Sequence, residues 1–147
     1  LPVPDDVQAA IRTLIRWSGG YPREIVRLLK IALTYEHQPL SDPDFARIFN
    51  ELKDAYRKVV PADTFDWLAR VAQEQYFTVL NDDHRQIADL MLSNNAVLRY
   101  VNDNDWFDLH PAVAEIPGVQ AARAALLAPP APPAAPPESA AEATPGA

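Results

Sequence analysis

Two adjacent glycines followed closely by a proline constrain this chain more than any other feature. Ser18-Gly19-Gly20-Tyr21-Pro22 sits between two stretches of helical periodicity. Gly19 and Gly20 can take the left-handed backbone that stops a helix. Pro22 suits the first turn of a new one, where its missing N–H is no loss. Before the break, Val7, Ile11, Leu14 and Ile15 recur at helical spacing, predicting a helix over 5–17 with Asp5 and Asp6 at its positive end. After it, Ile25, Leu28, Leu29, Ala32 and Leu33 form an apolar stripe over 22–36, while Arg23, Arg27, Lys30 and Thr34 line another face.

The same periodicity continues. Residues 43–60 predict a third helix through Phe45, Ile48, Phe49, Leu52, Tyr56 and Val59, with Asp42 as cap and Pro43 at its first position. Pro61 ends it. Residues 63–77 read as a helix with Phe65, Leu68, Val71, Ala72 and Tyr76 inward, and Asn81 caps a shorter one over 82–93. Two strands follow, 96–101 and 106–110, joined by Asn102-Asp103-Asn104-Asp105 as a hairpin turn. A short helix is expected over 118–127. From Pro129 to Ala147 the chain is nearly all Ala and Pro, a composition that reads as a disordered tail. The expected fold is therefore mainly α with one small β-hairpin, divided into a helical bundle over 1–60, a second unit over 61–117 and a tail region over 118–147.

The 147 residues suit one ordinary domain or two small ones. No apolar run approaches the ~20 residues that span a bilayer. The absence of cysteine rules out disulfides and thiolate metal sites and fits a cytoplasmic protein. Net charge is −7, but it is uneven: residues 1–60 carry nine Lys/Arg and eight Asp/Glu, and residues 61–117 carry three Arg and ten Asp/Glu. His37, His84 and His110 have no metal-ligand spacing. Asp103, Asp105 and Asp108 lack the glycine and final glutamate of a calcium loop and read as a solvated hairpin tip. Asp108 and His110 alternate along a strand, but no nucleophile accompanies them, so His110 reads as a core or hairpin-stabilising residue.

The Gly19-Gly20-Tyr21-Pro22-Arg23 sequence resembles the start of the sensor-2 helix in the helical lid of AAA+ and related P-loop ATPases. The helix–helix–hairpin order over 61–117 resembles a winged-helix unit, and a lid followed by such a unit is a familiar tail in AAA+, STAND and KAP-type proteins. The resemblance implies that Arg23 contacts the γ-phosphate of ATP; Arg27, one turn on, reads first as a structural ion pair or lid contact, with a second phosphate contact as its alternative. The ordinary alternative for Arg23 is an ion pair with Glu24 or another nearby carboxylate. The nucleotide would be held mainly by an N-terminal ATPase core. No Gly-x-x-x-x-Gly-Lys-[Ser/Thr] loop occurs here, and the four glycines could not build one. With Leu1 rather than Met at its start, the chain reads as the C-terminal regulatory piece of such an ATPase, without hydrolysis of its own. A lid also implies an exposed apolar surface on its helices that needs a partner domain.

The alternative is a free-standing winged-helix module for protein interaction. DNA is the poorer partner: the recognition-like segment Asp82–Asp89 carries three acids against one arginine, and the hairpin tip is acidic where phosphate contact needs Lys or Arg. The aromatic set Trp67, Tyr76, Phe77, Tyr100, Trp106 and Phe107 is expected in the core of the second unit.

Overall fold

A computed structural model describes residues 5–37, 40–77, 79 and 81–128. The tail expected over 129–147 lies outside the described residues. Among these residues the chain is mainly helical with one two-stranded antiparallel sheet, as the periodicity predicts. Its elements run α1 (Asp5–Trp17), α2 (Pro22–Ala32), α3 (Asp42–Val59), a 3₁₀ turn (Ala62–Thr64), α4 (Phe65–Glu74), α5 (Asp82–Ser93), β1 (Val97–Val101), β2 (Asp105–Leu109), α6 (Pro111–Ala114) and α7 (Pro117–Leu127).

The glycine break behaves as its chemistry dictates. Gly19 and Gly20 have φ of 63° and 75°, and Gly20 N–H donates to Ile15 O at 3.0 Å, satisfying a carbonyl that α1 leaves open. Pro22 opens α2. That helix ends four residues before the predicted boundary. Thr34 explains the difference: its N–H and its hydroxyl both donate to Ile31 O, at 3.0 and 2.7 Å. The last turn tightens there and the α-helical ladder stops.

Other boundaries also move. Ser41, rather than Asp42, precedes α3; its N–H and hydroxyl donate to Asp44 Oδ2 at 3.0 and 2.6 Å, and these bonds hold the Asp44 carboxyl below its ordinary pKa. The single helix expected over 63–77 begins as a 3₁₀ turn and stops at Glu74. Gln75 turns left-handed at φ 54°, and its carbonyl accepts from Phe107 N–H at 2.9 Å, so the chain leaves α4 by joining β2. The extra helix α6 begins directly after β2. Asn81 caps α5 as expected, its side chain accepting from His84 N–H at 2.8 Å.

The sheet registers Val97 with Leu109 and Val101 with Asp105. Tyr100 and Trp106 stack across it with ring centroids 4.1 Å apart. Asp105 receives the Arg99 guanidinium, whose Nε lies 3.0 Å from Oδ2. Val97 and Leu98 are adjacent and both buried, which a one-faced strand does not allow. The base of the hairpin is covered on two sides, with Leu98 directed to the Gly19 turn and Val97 in the main core.

One buried apolar cluster runs from Leu14 to Val119 and draws on both sides of residue 60, through Leu28, Ile48, Leu52, Leu68, Met91 and Val113 among others. Trp17 packs at its edge, stacked on Phe49 at 4.4 Å. Gly118 admits the Phe65 ring where any Cβ would stand, which lets α7 approach the start of α4.

Candidate functional site

The site begins at the turn between α1 and α2, because the hairpin holds that turn directly. Tyr100 Oη donates to Gly19 O at 2.5 Å. A Cβ on Gly19 would overlap Leu98 Cδ1 and come within 3.1 Å of Tyr100 Oη. Ser18 is fully buried beneath the turn, its hydroxyl donating to Ile15 O at 2.7 Å and accepting from Gly20 N–H at 3.1 Å. The turn is thus clamped from inside by Ser18 and from the hairpin by Tyr100.

This clamp aims the first turn of α2. Arg23 is its second residue and is exposed. It lines an open hollow with Val26, Arg27 and Lys30, at the end of α2 where unsatisfied N–H groups give partial positive charge. Among the described residues Arg23 forms no ion pair. Its expected structural partner, Glu24, is turned inward and only 3% exposed. Arg27 takes that role instead, with Nη1 3.5 Å from Glu24 Oε2. The two sequence-predicted site residues therefore share one rim, but only Arg23 is without a carboxylate.

Glu24 meets His110 inside the protein. His110 is fully buried at the junction of β2 and α6. Its Nδ1 accepts from Ala112 N–H at 3.1 Å, which caps α6 and leaves the proton of the neutral ring on Nε2. That Nε2 lies 3.8 Å from Glu24 Oε2, and neither atom has a hydrogen-bond partner among the described residues. Tyr56 of α3 stacks on the imidazole at 4.4 Å. Complete burial, with the Arg27 guanidinium nearby, pushes the imidazole down to about 3. Burial raises Tyr56, and the Glu24 charge raises it further.

His110 is thus the buried stabilising residue expected from its position. Its alternation with Asp108 does not produce a pair, since Asp108 Oδ1 accepts from Leu109 N–H at 2.7 Å. Glu24 was missed, although a signal existed. Glu24, Leu28 and Ala32 follow one another at four-residue spacing, so the carboxylate stands in line with two of the most buried residues of α2.

A second feature lies on the other face of α1 and α2. Of the apolar residues expected to be core there, only Leu14, Leu28 and Ala32 are buried. Val7, Ile11, Leu29 and Leu33 remain exposed, Leu33 by 76%, and line an apolar groove of about 420 Å³. The acidic face of α5 is also solvent-facing, with Asp82, Asp83 and Asp89 exposed. The aromatic expectation needs correction at three residues: Tyr76 is 58% exposed, because the left-handed Gln75 has already taken the chain off α4, and Tyr100 and Trp106 stack on each other outside the core cluster. Trp67, Phe77 and Phe107 pack in series, with centroids 5.1 and 4.7 Å apart.

Among the described residues no group of three or more His, Asp or Glu side chains could hold a metal ion. No helix of these residues is long and apolar enough to cross a membrane. No protein-family model matches the chain, and neither the curated proteins nor the solved structures yield a match.

Proposed function

We propose that this chain is the C-terminal regulatory part of an ATP-binding P-loop ATPase of AAA+ or STAND/KAP type, in which α1–α3 act as a lid and the region after residue 60 as a winged-helix-like protein-interaction unit. The observation that carries the reading is the pairing of an uncommitted cation with an unpartnered apolar face. Arg23 stands exposed in the first turn of α2 with no carboxylate partner among the described residues, and another face of the same helix joins α1 in a groove lined by Val7, Ile11, Leu29 and Leu33. A lid needs both: a face to rest on the ATPase core, and a cation that reaches the γ-phosphate when it does.

In this mechanism ATP is held by the core domain, and Arg23 adds an attraction available only while the γ-phosphate is present. Hydrolysis removes that attraction, and the lid is free to swing. The Gly19 turn, clamped by Tyr100, passes the movement to the hairpin. Arg27 is the less available cation because Glu24 already holds it.

Reading the coding sequence upstream of Leu1 tests the proposal. An open frame carrying a strand, a Gly-x-x-x-x-Gly-Lys-[Ser/Thr] loop and a helix supports it. A stop and a start signal immediately before Leu1 sinks it. The reading that then leads is a free-standing winged-helix module for protein contact, which the same groove and the acidic face of α5 favour over a nucleic-acid binder.

A further inference from the structure

A hollow of about 240 Å³ opens at the C-terminal end of α4, with Trp67, Arg70, Tyr76 and Phe77 in its wall. Phe77 packs between Trp67 and Phe107, with ring centroids 5.1 and 4.7 Å away, so β2 braces the aromatic side of the hollow from behind. Tyr76 has no such cover. The left-handed Gln75 takes it off α4 and leaves it 58% exposed. A tyrosine and a tryptophan lining one open hollow make the kind of surface on which proline rings pack. We propose that this hollow is the docking site of the chain's own proline-rich segment, residues 129–137, which lies outside the described residues.

The segment starts beside the hollow. Helix α7 runs along α4 in the same direction: Gly118 near its start meets the Phe65 ring at the start of α4, and Leu127 at its end lines one pocket with Ala69 and Gln73. Ala69 and Gln73 lie about a third of a turn round α4 from Trp67, Arg70 and Glu74. On a helix about 11 Å across, that is a path of about 12 Å. A polyproline II chain covers it in about four residues, at about 3.1 Å each. Ala128 already has φ −66° and ψ 136°, close to that geometry, as expected of a residue before proline. Six of the nine residues 129–137 are proline, the others are alanine, and none carries charge. Such a segment cannot build a core of its own, but it takes up an extended form at low entropic cost. Its carbonyls make no internal hydrogen bonds, and the lining of the hollow carries donors in the Trp67 indole, the Arg70 guanidinium and the Tyr76 hydroxyl. Arg70 is exposed and forms no ion pair among the described residues. Glu74 also lines the hollow, and an uncharged segment meets no repulsion from it. A tether this short gives a local concentration of about millimolar, so contacts too weak to capture a free peptide still hold the attached one.

Amide ¹⁵N relaxation on the 147-residue chain tests the docking. Within residues 129–137 only the alanines carry an N–H, and Ala131 and Ala134 report on the segment. Docked, both amides should have order parameters above about 0.6, the bound below which backbone counts as flexible. In Tyr76→Ser, which removes an exposed ring and leaves the core untouched, both should fall below that bound. Nuclear Overhauser contacts from the proline rings of residues 130–133 to the Tyr76 and Trp67 rings should appear in the wild type, a readout that needs no variant. Flexible alanine amides in the wild type overturn the proposal, as do missing ring contacts or order that survives in Tyr76→Ser. Order that disappears on dilution assigns the segment to the hollow of a second copy and overturns it too. None of these readouts involves nucleotide, so the docking can fail while the ATPase reading stands, and the reverse.

Discussion

Replacing Gly19 by alanine should destabilise the chain by about 2–5 kcal/mol, and most of that cost should be absent from Gly20→Ala. Both glycines are left-handed, at φ 63° and 75°. An L-residue held there costs about 1–2 kcal/mol. Gly20 has no atom within 4 Å of an added Cβ, so the backbone term stands alone. At Gly19 the Cβ would overlap Leu98 Cδ1 and lie 3.3 Å from Pro111 Cδ. Leu98 is buried and has little room to turn away. Overpacking of this sort adds about 1–3 kcal/mol. Against a total stability of about 5–15 kcal/mol, the difference is readily measured. Urea unfolding followed by far-ultraviolet circular dichroism, with a shared slope for wild type and both variants, gives it directly. Equal losses in the two variants would refute the claim that the hairpin presses on this turn.

Three further outcomes follow from the same contacts. Arg23→Ala should change folding stability by no more than about 0.5 kcal/mol, since the side chain is exposed and forms no ion pair among the described residues. On the lid reading it should still weaken the nucleotide response of the full-length protein, and an unchanged ATP response would remove Arg23 as a sensor. The folded pKa of His110 lies below the ordinary 6.5, near 3, so its contribution to stability is complete above about 6.5 and is lost as pH falls toward 3, by up to about 1.4 kcal/mol per pH unit. Chemical denaturation at pH 7.5, 6 and 5 should show that slope in wild type and a shallower one in His110→Asn; parallel slopes would count against it. Asn81→Ala removes the acceptor for His84 N–H and should cost about 1 kcal/mol, and a loss below about 0.3 kcal/mol in thermal unfolding would mean that the cap contributes little.

Much of the architecture was legible because its determinants are local. Periodicity placed α1, α3 and α5 to within a residue, and the left-handed glycines and Pro22 marked the break between α1 and α2. The polar run at 102–105 located the hairpin turn. The misjudged ends have non-local or competing causes. Gln75 leaves α4 because its carbonyl is wanted by Phe107, thirty-two residues later, and Thr34 shortens α2 by bonding back to Ile31.

By itself, the sequence determined where α1, α2, α3 and α5 begin, that the fold is mainly α with a hairpin, and that a cation would stand in the first turn of α2. Those outcomes depend on backbone sterics, capping chemistry and periods of 3.6 and 2, all of which act within a few residues. Only the tertiary structure decided which apolar face of α1 and α2 is covered and which is left as a groove, since an amphipathic stripe does not name its partner. Tertiary packing also turned Glu24 inward and left Arg23 exposed, with no ion pair among the described residues. It set Glu24 and His110, eighty-six positions apart in the chain, 3.8 Å from each other. No local rule relates residues at that separation; α2, α3 and the hairpin converge on the pair because burying their apolar faces together outweighs leaving two polar atoms without partners.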